Sequence, residues 1–229
     1  MNVLPEGVRL KSHALVAGFH GIGATGYWTV KFLIQQLKAR RTCFIDYEYA
    51  PPVSSTLGGR ISTPFEVFSA GKLSLLKAEV SPLRERENEF YRSLADWIMS
   101  TDVREVALVG GLDESLRTGS SNYRVVTTSA LPRTKAMVAE PVLEDERMIV
   151  GPVASLLNLF EVHQFPAFAI LAFSNAERVD PRASATAVGF LARRYGLAVD
   201  TSPLIKGAEA IESEMKVVEQ KDSSTSVYS

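Results

Sequence analysis

The feature that most constrains this sequence is a change of hydrophobic period across a cluster of glycines. His13 to Phe19 is a short apolar run of the kind that forms a buried strand, and a glycine-rich turn follows. From Tyr27 to Ala39, Val30, Leu33, Ile34 and Leu37 then recur at helical spacing. The same alternation returns along the chain. Thr42 to Tyr47 reads as a second strand, Arg84 to Ser100 as a helix with Phe90, Leu94, Trp97 and Ile98 on one face, and Arg104 to Gly110 as a buried strand. Tyr123 to Ala130 and Ala136 to Val142 alternate as further strands. Gly151-Pro152 opens a helix to about His163, and Phe165 to Phe173 returns as a strand. Asp180-Pro181 starts a helix that Arg193, Arg194 and Gly196 close. Strands and helices in this order predict an α/β sandwich around a largely parallel sheet. Between about 50 and 80, Pro51, Pro52, Gly58 and Gly59 argue against helix. Phe65 to Ser69 and Lys72 to Val80 read there as an antiparallel hairpin turning at Ala70-Gly71.

Beyond Pro203, Leu204, Ala208, Ile211, Met215 and Val218 mark one apolar stripe on a last helix, with the protein's own body as its first expected partner and a neighbouring subunit as its second. Polar, serine-rich composition then predicts a flexible tail. The expected organisation is one α/β domain over 1–203, a C-terminal helix over 204–220 and a tail over 221–229.

Several function classes are disfavoured by bulk properties. The 229 residues are 46% apolar, enough for a full core, and 25 Lys and Arg balance 26 Asp and Glu, so no basic field exists to collect nucleic-acid phosphates. Phe165 to Phe173, the most apolar run, is about half the roughly 18 residues that span a bilayer. Met1 to Lys11 has no long apolar segment, and the single cysteine, Cys43, has no internal disulfide partner. A cytoplasmic location is expected, with no nucleic-acid or membrane partner.

Gly21-Ile-Gly23-Ala-Thr-Gly26 satisfies G-x-G-x-x-G between a predicted strand and a predicted helix, with Asp46 at the usual distance downstream. One reading is a nicotinamide-dependent oxidoreductase, with pyrophosphate at the helix N-terminus and Asp46 on a ribose. The other is that the glycines close a tight strand-to-helix turn. The second is favoured, because the next strand leads into a hairpin rather than a crossover helix and because Phe19, Tyr27 and Trp28 crowd the loop. His20, Asp46 and Asp113 each follow a predicted strand and are the candidates for a hydrolase- or phosphorylase-like cleft. No nucleophile elbow, reactive-cysteine context or metal-ligand spacing occurs, so no catalytic residue, metal or cofactor is assigned.

Taken together, the motifs resemble the proteasome assembly chaperone 2 family, especially its archaeal members, over about Ser12 to Met215. The opening signature is Ala17-Gly18-Phe19-His20-Gly21-Ile22-Gly23, similar to the family's Gly-Phe-Pro-Gly-Val-Gly turn with His20 where proline is usual. Val109-Gly-Gly-Leu-Asp113, Gly151-Pro-Val-Ala154, Val179-Asp-Pro-Arg-Ala183 and Val199-Asp-Thr-Ser-Pro203 follow in order. The resemblance implies a three-layer α/β/α fold, related in shape to phosphorylases and hydrolases and without an established catalytic role. It also implies homo-oligomers, with tetramer and pentamer as candidate sizes, that assist or bind rings of proteasome α-subunits. Val227-Tyr228-Ser229 matches the hydrophobic, tyrosine, any-residue ending of proteasome activators. Such a tripeptide arises by chance in about one chain in a hundred, so it carries weight only beside the family resemblance. Its expected role is partner binding.

Overall fold

The computed structural model describes residues 1–132 and 134–225. In chain order the strands and helices are β1 (Asn2–Leu4), β2 (Ala14–Gly18), α1 (Thr25–Gln36), β3 (Arg40–Asp46), β4 (Ser55–Leu57), β5 (Arg60–Ser62), β6 (Phe65–Ala70) and β7 (Leu73–Ala78). They continue with α2 (Glu87–Ser100), β8 (Glu105–Asp113), β9 (Tyr123–Thr127), α3 (Lys135–Val138), α4 (Pro152–Val162), β10 (Ala167–Ser174), α5 (Pro181–Tyr195) and α6 (Ser202–Thr225).

Eight strands join in one sheet in the order β1-β3-β6-β7-β2-β8-β10-β9, while β4 and β5 form a separate hairpin. At the centre β7, β2, β8 and β10 run parallel, and the flanking pairs are antiparallel. Every residue of β2 and β10 is buried, as central strands covered on both faces require. Side chains alternate between two cores. Leu15, Ala17, Val106, Leu108, Ala169 and Leu171 face α2 and α4, whereas Ala14, Val16, Ala107, Val109, Phe168 and Ile170 face α1, α5 and α6. The result is the three-layer α/β/α sandwich.

The helix ends follow local chemistry. Asp180 Oδ1 accepts hydrogen bonds from the amides of Arg182 (3.0 Å) and Ala183 (3.2 Å), and Pro181 fills the first helical position of α5. Gly196 ends that helix in the left-handed conformation, at φ 65°. Leu204 of α6 packs into the core, Ala208 is buried, and the helix lies against α5. Arg182 of α5 then grips Glu212 of α6 through Nε–Oε1 and Nη2–Oε2 bonds of 2.7 and 3.0 Å. The backbone of α6 stays helical through Thr225, past the boundary at 220 and into the segment whose composition predicts a free tail. The side chains of Met215 and Val218, and all of Val227, Tyr228 and Ser229, lie outside what the structure describes.

One element departs from expectation. Ala136 to Val142 is not a strand: residues 135–138 form a single helical turn, and Val142 makes only an isolated bridge to Val125. Short apolar runs satisfy both periods, and here Thr134 Oγ1 accepts from the Met137 amide at 3.3 Å, which favours the turn.

Candidate functional site

The glycine loop lies where β2 ends and α1 begins, and three of its four glycines are required by close packing. A methyl group on Gly18 would lie 2.0 Å from the Gly26 carbonyl oxygen, and one on Gly26 would lie 2.4 Å from that of Val109. Gly23, at φ 60°, has Ser174 Oγ at 1.8 Å from its ideal Cβ position. Gly21 is extended, at φ −173°, and faces open space. The loop crosses the end of β2 and covers β8, where the Ile22 carbonyl oxygen fills the place a Gly111 side chain would occupy. It is fastened from the α5 side as well: the Asp180 amide donates to the Gly23 carbonyl at 3.0 Å, and Thr25 Oγ1 donates to Ser174 Oγ at 3.2 Å. The glycines therefore seat helix and loop on the sheet.

Asp46 does not approach this loop. The β6–β7 hairpin inserts between β2 and β3, so the strand that ends in Asp46 sits three positions from β2, about 14 Å away at the usual strand spacing. A dinucleotide fingerprint places those two strands side by side, and this insertion removes the carboxylate from the loop. Asp113 lies farther along β8, four residues beyond Val109, the register partner of Gly18, and pairs with Ser174. Its Oδ1 accepts from the Ser115 amide at 2.9 Å, a contact that holds the carboxyl below its ordinary range. His20, Asp46 and Asp113 thus share one edge of the sheet, with Asp46 set three strands away from β2.

His20 instead opens onto a polar chain that the sequence did not signal as a unit. Its ring stacks on Tyr27 with centroids 4.2 Å apart, and Nε2 lies 3.0 Å from the Glu79 carbonyl oxygen. Tyr27 Oη donates to Glu79 Oε1 at 2.7 Å, and Lys31 Nζ donates to Tyr27 Oη at 2.9 Å. Lys77 Nζ meets Glu79 Oε2 at 2.7 Å and Glu66 Oε2 at 3.4 Å, and also donates to Ser62 Oγ. Arg41 completes the series on Glu66 Oε1 at 3.0 Å. Lys77 and Glu66 are buried, with side chains 3% and 0% exposed. Burial pushes the Glu79 carboxyl up, but its bonds from Lys77 and Tyr27 outweigh that and hold it below the ordinary value. Burial and the Glu79 contact raise the Tyr27 phenol. With hydrogen bonds to Glu79 and Ser62 and an ion pair to Glu66, Lys77 acts as a crosslink between β6, β7 and the β4–β5 hairpin. The signal available in sequence was a Glu and a Lys interrupting otherwise apolar strands, Phe65-Glu-Val-Phe68 and Leu75-Leu-Lys-Ala78.

Beside the loop is a cavity of about 320 Å³, lined by Phe19, Ile22, Gly110, Gly111, Val153 and neighbouring residues. Among the described residues His20 is the only ionisable side chain at its wall. Such a lining accommodates apolar groups and supplies little for acid–base chemistry. Burial pushes the Cys43 thiol up to about 12, which keeps it protonated and unreactive. Among the described residues no cluster of three or more His, Cys, Asp or Glu is arranged to hold a metal, and no helix is long and apolar enough to cross a membrane.

Comparison with known proteins gives three findings. The sequence profile of the PAC2 family matches residues 15–219. No curated protein matches the chain. Among solved structures, Pyrococcus furiosus PbaA, described as an archaeal homolog of proteasome-assembly chaperone, superimposes with a TM-score of 0.79 at 20% identity. That match covers 98% of this chain and 93% of PbaA. Pyrococcus furiosus PbaB, described as an archaeal proteasome activator, gives 0.75 at 19% identity, covering 95% of this chain and 98% of PbaB. A PAC2 family protein from Streptomyces avermitilis gives 0.66 at 19% identity over 90% of this chain and 95% of its own.

Proposed function

This chain belongs to the PAC2 family, and from that premise we propose that it is a non-catalytic proteasome assembly chaperone or activator. In this reading it works in the cytoplasm as a homo-oligomer and docks on rings of proteasome α-subunits through Val227-Tyr228-Ser229. The observation that carries the reading is the family match across 15–219, supported by near full-length likeness of fold to a chaperone homolog and to an activator.

The docking chemistry is capture of a chain end. A terminal carboxylate pairs with a cationic side chain in a partner's pocket, the Tyr228 ring contributes apolar area and a hydroxyl, and Val227 fills a recess. Three residues bind weakly, and ordering the chain that carries them costs entropy. Several copies on one particle raise the apparent affinity by about 10²- to 10⁴-fold when their spacing lets them engage together.

The test is capture of purified proteasome α-rings by the intact chain and by a chain lacking Val227 to Ser229. The intact chain should retain the rings and the shortened one should lose them, with an unchanged circular dichroism spectrum. Equal retention by both would remove the tail from the mechanism, and failure of the intact chain to retain any α-ring would remove the proteasome reading itself.

A further inference from the structure

A second depression opens at the same edge of the sheet, where β8 and β10 end and α5 begins. It measures about 400 Å³, and its lining includes Arg117, Asn122, Phe173, Arg178, Arg182 and Thr186. Two of its three arginines are committed. Arg117 lies over the Phe173 ring, 5.3 Å from the centroid, and donates to Glu114 Oε2 at 2.7 Å and Asn122 Oδ1 at 3.0 Å. Arg182 is held in the bidentate pair with Glu212.

Arg178 differs from both. Among the described residues its guanidinium has no carboxylate partner, and its Nε is buried with no hydrogen-bond acceptor. Only its backbone is engaged, the amide donating to Asn175 Oδ1 at 3.1 Å. Buried polar groups in folded proteins nearly always find a partner, in the protein or outside it. Two carboxylates, Glu114 and Asp180, also line the depression, and neither supplies one. Glu114 is turned to Arg117, and Asp180 accepts from the amides of Asn175, Arg182 and Ala183.

We infer that this depression is a binding site for a small molecule bearing an oxyanion group, phosphate or carboxylate, with Arg178 as its principal ligand. A guanidinium presents parallel N–H donors that match two oxygens of either group. The volume exceeds that of the anionic group alone, so the remainder of the molecule lies along Phe173 and Thr186. The side on which the site opens, beyond the carboxyl ends of the parallel strands β8 and β10, is the side on which open α/β sheets receive ligands. This inference is independent of docking to α-rings.

The test uses the full chain and two probes, pyrophosphate and citrate, titrated calorimetrically at constant ionic strength against sodium chloride. One probe should bind saturably, and which one does identifies the group as phosphate or carboxylate. Arg178→Gln should weaken that binding at least tenfold, while Arg193→Gln, on α5 but outside the depression, should leave it within twofold. As a measurement that needs no variant, the bound probe should protect Arg178 from phenylglyoxal in the unaltered chain, read by peptide mass. No saturable binding of either probe, equal binding by Arg178→Gln, or unprotected Arg178 would each overturn the assignment.

Discussion

Gly18 and Gly26 stand face to face across the turn from β2 to α1, so close that a β-carbon on Gly18 would fall 2.0 Å from the Gly26 carbonyl oxygen. The obstruction is backbone, and no side-chain rotation relieves it. Gly18→Ala should therefore destabilise the chain by about 3 kcal/mol or more, the upper end for inserting a methyl group into a packed interior. Gly21→Ala, at an extended residue with open space around it, should stay within about 0.5 kcal/mol of the parent. Urea unfolding of both variants measures the contrast. It also separates a packing role from phosphate binding, because a dinucleotide fingerprint needs its first glycine and a packed turn does not.

Lys77 holds Glu66 and Glu79 together in the interior of the hairpin layer. Lys77→Met keeps the apolar stem and deletes the charge, leaving the wholly buried Glu66 with Arg41 as its remaining cation among the described residues, beside hydrogen bonds from the Ser62 hydroxyl and the Thr63 amide. A loss of about 3–5 kcal/mol is expected, because removing one member of a buried ion pair strands the other. The double variant Lys77→Met with Glu66→Gln should recover part of that loss. A double variant as unstable as the sum of the singles would show that the two groups are not coupled.

Glu144 sets an acid limit on one contact. The Arg124 guanidinium and the Thr118 hydroxyl hold its carboxyl at about 2, against an ordinary value of 4.5. Its folded value is depressed, so the contact contributes in full above 4.5 and is lost as pH falls from there toward 2. Glu79, lowered by Lys77 and Tyr27, works in the same direction below 4.5. Unfolding free energy measured from pH 6 to pH 2.5 should decline, and Glu144→Gln should make that decline shallower. A variant with the same pH slope as the parent would exclude Glu144 as a contributor.

The parts of the fold that could be read from sequence are those fixed by neighbours along the chain. Asp180, Pro181 and Gly196 delimit α5 through caps that need no tertiary partner, and the period of Val30, Leu33 and Ile34 reports a helix lying on a sheet. What escaped is what long-range placement decides. The apolar run Ala136 to Val142 serves a strand or a turn equally, and residues 135–138 take the turn. The separation of Asp46 from the glycine loop depends on where the β6–β7 hairpin inserts, which no local pattern records. The chain from His20 to Arg41 joins residues from α1, β3, β6 and β7, and the orphaned Arg178 is distinguished from Arg117 and Arg182 only by its surroundings.

The grip of Arg182 on Glu212 ties the direction of α6 to that of α5. The first half of α6 is clamped against α5, and the helical backbone runs about 20 Å from Glu212 to Thr225. A pivot of about 10° at the clamp would sweep the far end through roughly 3 Å at that length. Whatever steadies or tilts α5 is thus magnified along the length of α6.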